Sequence, residues 1–201
     1  MFYEPALKDH GLPHDPFKAI VAPRPIGWIS SLDENGLVNL APYSFFNAFG
    51  THPHVVGFSS EGRKDSLRNV EQSGEFVCNY VAFDLRDVMN KTSAPVGREV
   101  SEMSYAGIES APSRLVKPPR VAQAAAALEC RYMQTVALTG AGGAPATYFL
   151  VLGEVVGIYI DDRFVRGGRF DAAAARPIAR AGYHDYMMGD TLFELVRPTK
   201  V

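Results

Sequence analysis

Residues 26–46, IGWISSLDENGLVNLAPYSFF, read as a β-hairpin. IGWISSL (26–32) is apolar and β-branched enough for a strand, Asp33-Glu34-Asn35-Gly36 supplies turn chemistry, and LVNLAPYSFF (37–46) runs back as the second strand. Before it, residues 1–21 carry Pro5, Gly11, Pro13 and Pro16, which predicts an irregular lead-in lying on the surface or against a partner subunit. After it, HVVGFS (54–59) is a third strand and Phe76–Val81 a fourth. Between them EGRKD is a polar loop and DSLRNVEQSG a short helix, with Asp65 or Ser66 at its N-cap and Gly74 just past its end.

Further on, Leu85, Val88 and Met89 share a face at helical spacing, and a Ser-, Gly- and Pro-containing stretch without strong periodicity follows through Pro119. Residues 122–138 carry two signals: AQAAAALEC favours helix by propensity, whereas LECRYMQTVAL alternates as a strand does. The Gly-rich TGAGGAPA and the apolar run after it favour a strand from about Ala127. TYFLVLGEVVGIYI (147–160) is the strongest β signal in the chain, with a bulge or bend expected at Gly153. TLFELVRP (191–198) reads as a last short strand. Six to eight short strands, two or three short helices and no βαβ alternation give a mainly β fold, a small β-barrel with helical insertions. The 201 residues suffice for one domain, 1–201, with its own core.

Twenty basic against 22 acidic side chains, spread along the chain at net charge −2, offer no basic stripe for a phosphate backbone, so nucleic acid is not an expected partner. No run approaches the roughly 20 apolar residues that cross a bilayer, and the N-terminus lacks a basic and then apolar leader pattern; the expectation is a cytoplasmic protein without membrane contact. Cys78 and Cys130 sit in apolar strand-like runs, as buried reduced thiols do. His52 and His54 flank Pro53 without a third ligand nearby, and no HExxH occurs, so no metal is expected. TGAGGAPA lacks Rossmann spacing, and no Walker loop or nucleophile elbow is present. His184, beside Asp185, is a surface pair or a nicotinamide-side contact.

Chemistry concentrates in two places. Arg63-Lys64-Asp65-Ser66 puts two cations and a hydroxyl at a helix start, where unpaired backbone N–H groups and the helix dipole already favour an anion; the plainer reading is a solvated loop and an ordinary cap. In Asn39–Asn47, Pro42 breaks strand alternation and frees backbone groups near Ala41, Tyr43 and Ser44, which with Ser30 and Ser31 suit the polar edge of a flat heteroaromatic ring; the alternative is a core strand ending in a turn. Arg24, between Pro23 and Pro25, reaches a phosphate or a partner subunit, while Trp28 suits the core.

PRPIGWISSLDENGLVNLAPYSFFNAFGTHPHVVGFSS (23–60) followed by RKDSLRNVEQSGEFVCNYV (63–81) resembles the flavin reductase-like, FMN-binding split-barrel family, which includes flavoredoxin and the reductase components of two-component flavin monooxygenases. The likeness continues more loosely through GEVVGIYIDDRF and ARAGYHDY. It implies a homodimer with FMN near the subunit interface, the phosphate held at Lys64, Asp65 and Ser66, the ring at Ser30 and Ala41 to Ser44, and the ribityl chain beside Ser59. Many relatives carry a histidine in the strand after the GEV motif, where this chain has Tyr159. Without a dinucleotide-binding domain, NAD(P)H is expected as a transient co-substrate stacked on the flavin, with no catalytic side chain required for hydride transfer. The implied activity is NAD(P)H:flavin oxidoreduction, with a monooxygenase or another redox protein as partner. The alternatives are an FMN-binding electron carrier and, more distantly, an oxidase of the pyridoxamine phosphate oxidase type.

Overall fold

In the computed structural model, which describes residues 1–198, the opening hairpin stands where the sequence puts it: β1 (Gly27–Leu32) and β2 (Val38–Tyr43) pair from Gly27↔Tyr43 to Leu32↔Val38. Asp33 closes the turn, its carboxylate accepting the N–H groups of Asn35 and Leu37. The run LVNLAPYSFF is not a single strand, however. It divides at Ser44–Phe45, and Phe46–Thr51 forms a further strand, β3, that the sequence reading left out. The next strands are β4 (His54–Glu61) and, after helix α1 (Asp65–Ser73), β5 (Glu75–Asn79). Short helices α2 (Arg86–Lys91) and α3 (Glu102–Ala106) lead into a long hairpin, β6 (Ala126–Thr139) and β7 (Pro145–Ile160).

These strands form an antiparallel sheet in the order β2-β1-β5-β6-β7-β4-β3. Its two end strands, β2 and β3, are consecutive in the chain, so the sheet must curl until its edges meet. The Ser59 N–H donates to the Phe45 carbonyl at 2.8 Å, carrying the β3–β4 ladder up to the break after β2. Gly27 on β1 lies so close to β3 that a Cβ there would stand 2.5 Å from the Phe46 ring, a distance only glycine tolerates. The result is a small barrel with helical insertions. The expected irregularity at Gly153 is present: the β6–β7 register shifts between Leu152 and Gly153, and the ring of Phe76 occupies the space a side chain would need. TGAGGAPA forms the turn region of this hairpin.

The barrel interior is filled by Ile29, Phe58, Phe76 and Val151, and α1 seats Leu67 and Val70 against them. A second cluster around Trp28, Leu40, Met89 and Val121 lies on the other side of β1. Each such side chain contributes about 1.5–3 kcal/mol of burial free energy. Two boundaries differ from expectation. The N-cap of α1 is Lys64, extended at φ −74°, ψ 174°, and not Asp65 or Ser66, which are already helical. TLFELVRP is not a strand: the last one is β9 (Asp185–Met188), which pairs with β8 (Ile178–Gly182) beside the two-residue strand Arg24–Pro25. Among the described residues no helix is long and apolar enough to cross a membrane.

Candidate functional site

Both chemical segments singled out in the sequence meet at one cleft. It is ≈ 550 Å³ in volume and is walled by β2 (Asn39, Ala41, Pro42, Tyr43), the start of α1 (Lys64, Asp65, Ser66, Arg68), the loop Thr92–Val96 and Glu102. A volume of this order holds a ligand the size of a mononucleotide. No side chain caps α1, so the N–H groups of its first turn keep their donors for a ligand, at the positive end of the helix dipole.

The charges around that helix start are already arranged. Arg63 is paired with Glu71. Asp65 Oδ1 accepts from Arg68 at 2.5 Å and from Arg98 Nε at 2.9 Å, which holds both guanidiniums against one carboxylate. Lys64 is exposed and makes no ion pair among the described residues, and the Nε–H of Arg68 is buried without a partner. Ser66 is buried and accepts from Asn39 Nδ2 at 2.8 Å. Burial pushes the Tyr43 hydroxyl above its usual range, partly offset by hydrogen bonds from Ser66 and Ser60. Burial likewise raises the Glu102 carboxyl, which accepts the Leu40 N–H at 2.9 Å, and the nearby Asp65 charge adds to the rise.

The far wall is tied to the core. Thr92 Oγ1 accepts the indole N–H of fully buried Trp28 at 2.9 Å and donates to the Met89 carbonyl at 2.7 Å. The backbone that begins the Thr92–Val96 wall is therefore held from inside.

Of the residues nominated from sequence, the cleft gathers Ala41, Pro42, Tyr43, Lys64, Asp65 and Ser66. The others sit elsewhere. Arg24 is buried, with its guanidinium donating to the carbonyls of Lys18, Val21 and Ala181, so it ties the lead-in to β8 and reaches no cleft. Ser30 donates to the Pro119 carbonyl at 2.6 Å, and Ser31 accepts from Asn69; both are fully buried in β1. Ser44 marks the break between β2 and β3. Arg63 points to Glu71, and Ser59 Oγ is buried without a partner. Sequence reasoning missed Asn39, Arg68, Glu102 and the Thr92–Val96 loop. Arg68 was findable, being four residues from Lys64 and so on the same helical face; the loop carries no pattern that points at a ligand.

Four other residues singled out in the sequence also have definite surroundings. His184 lines a separate cleft of ≈ 420 Å³ beside β9. Tyr159 stacks under Arg120, whose guanidinium carbon is 3.6 Å from the ring centre. Cys78 and Cys130 are free and buried, and burial raises the Cys78 thiol pKa well above its usual value.

With this geometry in hand, the likenesses to other proteins are informative. A family model described as the flavin reductase like domain matches residues 21–173. An uncharacterized protein of Halalkalibacterium halodurans is 36% identical over 185 residues, covering 89% of this chain and 88% of that one. The crystal structure of nitrilotriacetate monooxygenase component B from Bacillus cereus superposes with a TM-score of 0.86 at 28% identity, covering 97% of this chain and 98% of that one. A Shewanella frigidimarina protein with a split barrel domain superposes at 0.81 and 23% identity over 90% of each chain, and shares the fold. The cleft between β2 and α1 lies inside the matched region, and the chain belongs to the flavin reductase-like domain family of split-barrel oxidoreductases.

Proposed function

We propose that this chain binds FMN in the β2–α1 cleft and, as a homodimer in the cytoplasm, passes hydride from NAD(P)H to it. The observation that carries the reading is the uncapped first turn of α1, set beside unpaired Lys64 and the partnerless Arg68 Nε and facing the main chain of Ala41–Tyr43 across a mononucleotide-sized cleft. These residues fit the cofactor. A phosphate dianion satisfies the helix N–H groups, Lys64 and Arg68, and the outer side of edge strand β2, which pairs with β1 alone among the described residues, can hydrogen-bond a ring edge.

When bound, FMN supplies the two-electron chemistry. The chain's own part is positioning: Lys64, Ser66 and Arg68 fix the phosphate end, Trp28 holds the Thr92–Val96 wall through Thr92, and the Asp65 carboxylate keeps Arg68 and Arg98 oriented. The Bacillus cereus relative is component B of a monooxygenase; by that likeness reduced flavin goes on to a monooxygenase partner.

The test is an absorbance spectrum with and without added FMN, followed by anaerobic NADH or NADPH. Rapid bleaching of a bound flavin band is expected. A bound flavin that stays oxidised replaces the reductase with a carrier or oxidase, and no flavin binding ends the reading.

A further inference from the structure

The C-terminal segment carries a contradiction. TLFELVRP has strand composition, yet in the single chain it has no regular secondary structure and no strand pairing among the described residues, and Leu192, Phe193, Leu195 and Val196 are 67%, 82%, 84% and 80% exposed. Strand structure needs a neighbouring edge to bond to, and four consecutive-range large apolar groups in water mark a surface that another surface covers. On an extended chain Phe193 and Leu195 share one face while Leu192 and Val196 share the other, so the segment is apolar on both sides.

Where the segment leaves the fold is fixed. The Gly189 N–H donates to the Pro177 carbonyl at 2.8 Å, and Gly189 packs on the Pro177 ring. From Asp190 to Pro198 the chain spans about 30 Å when extended, enough to cross to a neighbouring molecule.

A receiving surface of matching chemistry lies next to that exit. β9 is the edge of its small sheet, pairing only with β8, and so presents unpaired backbone groups on its outer side. The ≈ 420 Å³ cleft beside it is lined by Phe83, Met89, Ile178, Met187 and Met188, and also by Arg86, Asp87 and Arg180, with Arg86 paired to Asp87. Methionines adapt to an inserted apolar side chain. The tail carries Asp190 and Glu194, opposite in charge to those arginines, and Arg197, opposite in charge to Asp87.

We propose that the tail is an exchanged arm: residues 191–198 of one chain add to the β9 edge of a second copy, with Phe193 and Leu195 over its methionine-lined cleft, and the second chain does the same in return. This is strand addition within a two-fold pair. It rests on the homodimer named above and says what holds the two copies together.

Sedimentation equilibrium of three proteins tests it: the full chain, a chain ending at Gly189, and the full-length Phe193→Asp/Leu195→Asp variant, whose altered side chains touch little in the single chain. The expected results are a dimer for the full chain and dissociation constants about 100-fold weaker for both variants, the loss typical of two buried anchors. A further mixture pairs the truncated chain with a Met187→Arg chain. Each is impaired alone, and together they keep one intact arm and one intact cleft, so mixed dimers are expected. Unchanged dimerisation of both variants overturns the arm, as does a monomeric full chain. FMN bound per chain is measured in the same samples: a monomer that binds FMN defeats the arm and leaves the cofactor reading standing, whereas a dimer that binds none does the reverse.

Discussion

The cleft between β2 and α1 and the cleft beside β9 are both open to solvent, but they are held in opposite ways. The first is walled by groups that already have buried partners: Thr92 bonded to Trp28, Glu102 to the Leu40 N–H, Ser66 to Asn39. The second is lined by methionines and by an edge strand whose outer side has no strand partner among the described residues. Polar groups fixed in advance suit a small charged ligand, because little ordering remains to be done on binding. Adaptable apolar side chains suit a protein segment that brings its own shape. The difference is what the two proposals build on, a cofactor for one cleft and a chain segment for the other.

The sharpest way to break that contrast is in stability. Leu67→Ala, in the first turn of α1, should cost about 2–5 kcal/mol in chemical denaturation. Leu192→Ala in the tail should stay within about 0.5 kcal/mol at concentrations too low for pairing. Comparable losses would mean that the tail packs on its own chain.

Binding gives the next effect. Lys64→Ala should weaken FMN by about 1.5–3 kcal/mol, the scale of a charge-assisted hydrogen bond, read by quenching of flavin fluorescence. Unchanged affinity would move the phosphate away from α1. Trp28→Phe should cost about 1 kcal/mol of stability by removing the indole N–H···Thr92 bond, and should weaken FMN because the Thr92–Val96 wall loses its tie. A stability loss with affinity intact would show that this wall does not touch the ligand.

The smallest effect is in pH. Burial raises the folded-state pKa of Glu102 above its ordinary 4.5, so between those two values the folded chain binds more protons than the unfolded one. Glu102 therefore lowers stability as pH rises through that window, and Glu102→Gln should flatten the fall. A variant whose pH profile matches that of the unaltered chain would show that the Leu40 N–H fully compensates the carboxylate.

Local pattern was enough for the hairpin at 26–43, the start of β6 near Ala127 and the irregularity at Gly153, because turn residues, alternation and an isolated glycine in an apolar run each act over a few residues. It failed at Phe46–Thr51, where strand character comes from pairing with β4 rather than from composition. It failed in the other direction at TLFELVRP, which has the composition and lacks the pairing. Within the site, the sequence placed Lys64, Asp65 and Ser66 at a helix start; Pro42, expected to break the strand, instead pairs in register with Trp28 inside β2, and the break falls at Ser44–Phe45. Arg24, Ser30 and Ser31 looked equally polar and proved to be tied inside the fold, since a serine or arginine is free for a ligand only if no carbonyl or amide has claimed it first.

By itself, then, the sequence determined the strand-rich architecture, the family and the helix α1 that follows Lys64, all of which depend on residues near one another in the chain. Only the tertiary structure decided which polar side chains remain unclaimed, that Arg68, Glu102 and the Thr92–Val96 loop complete the cleft, and that Leu192, Phe193, Leu195 and Val196 are left exposed among the described residues. Those depend on contacts across the closed barrel, between residues that no local pattern relates.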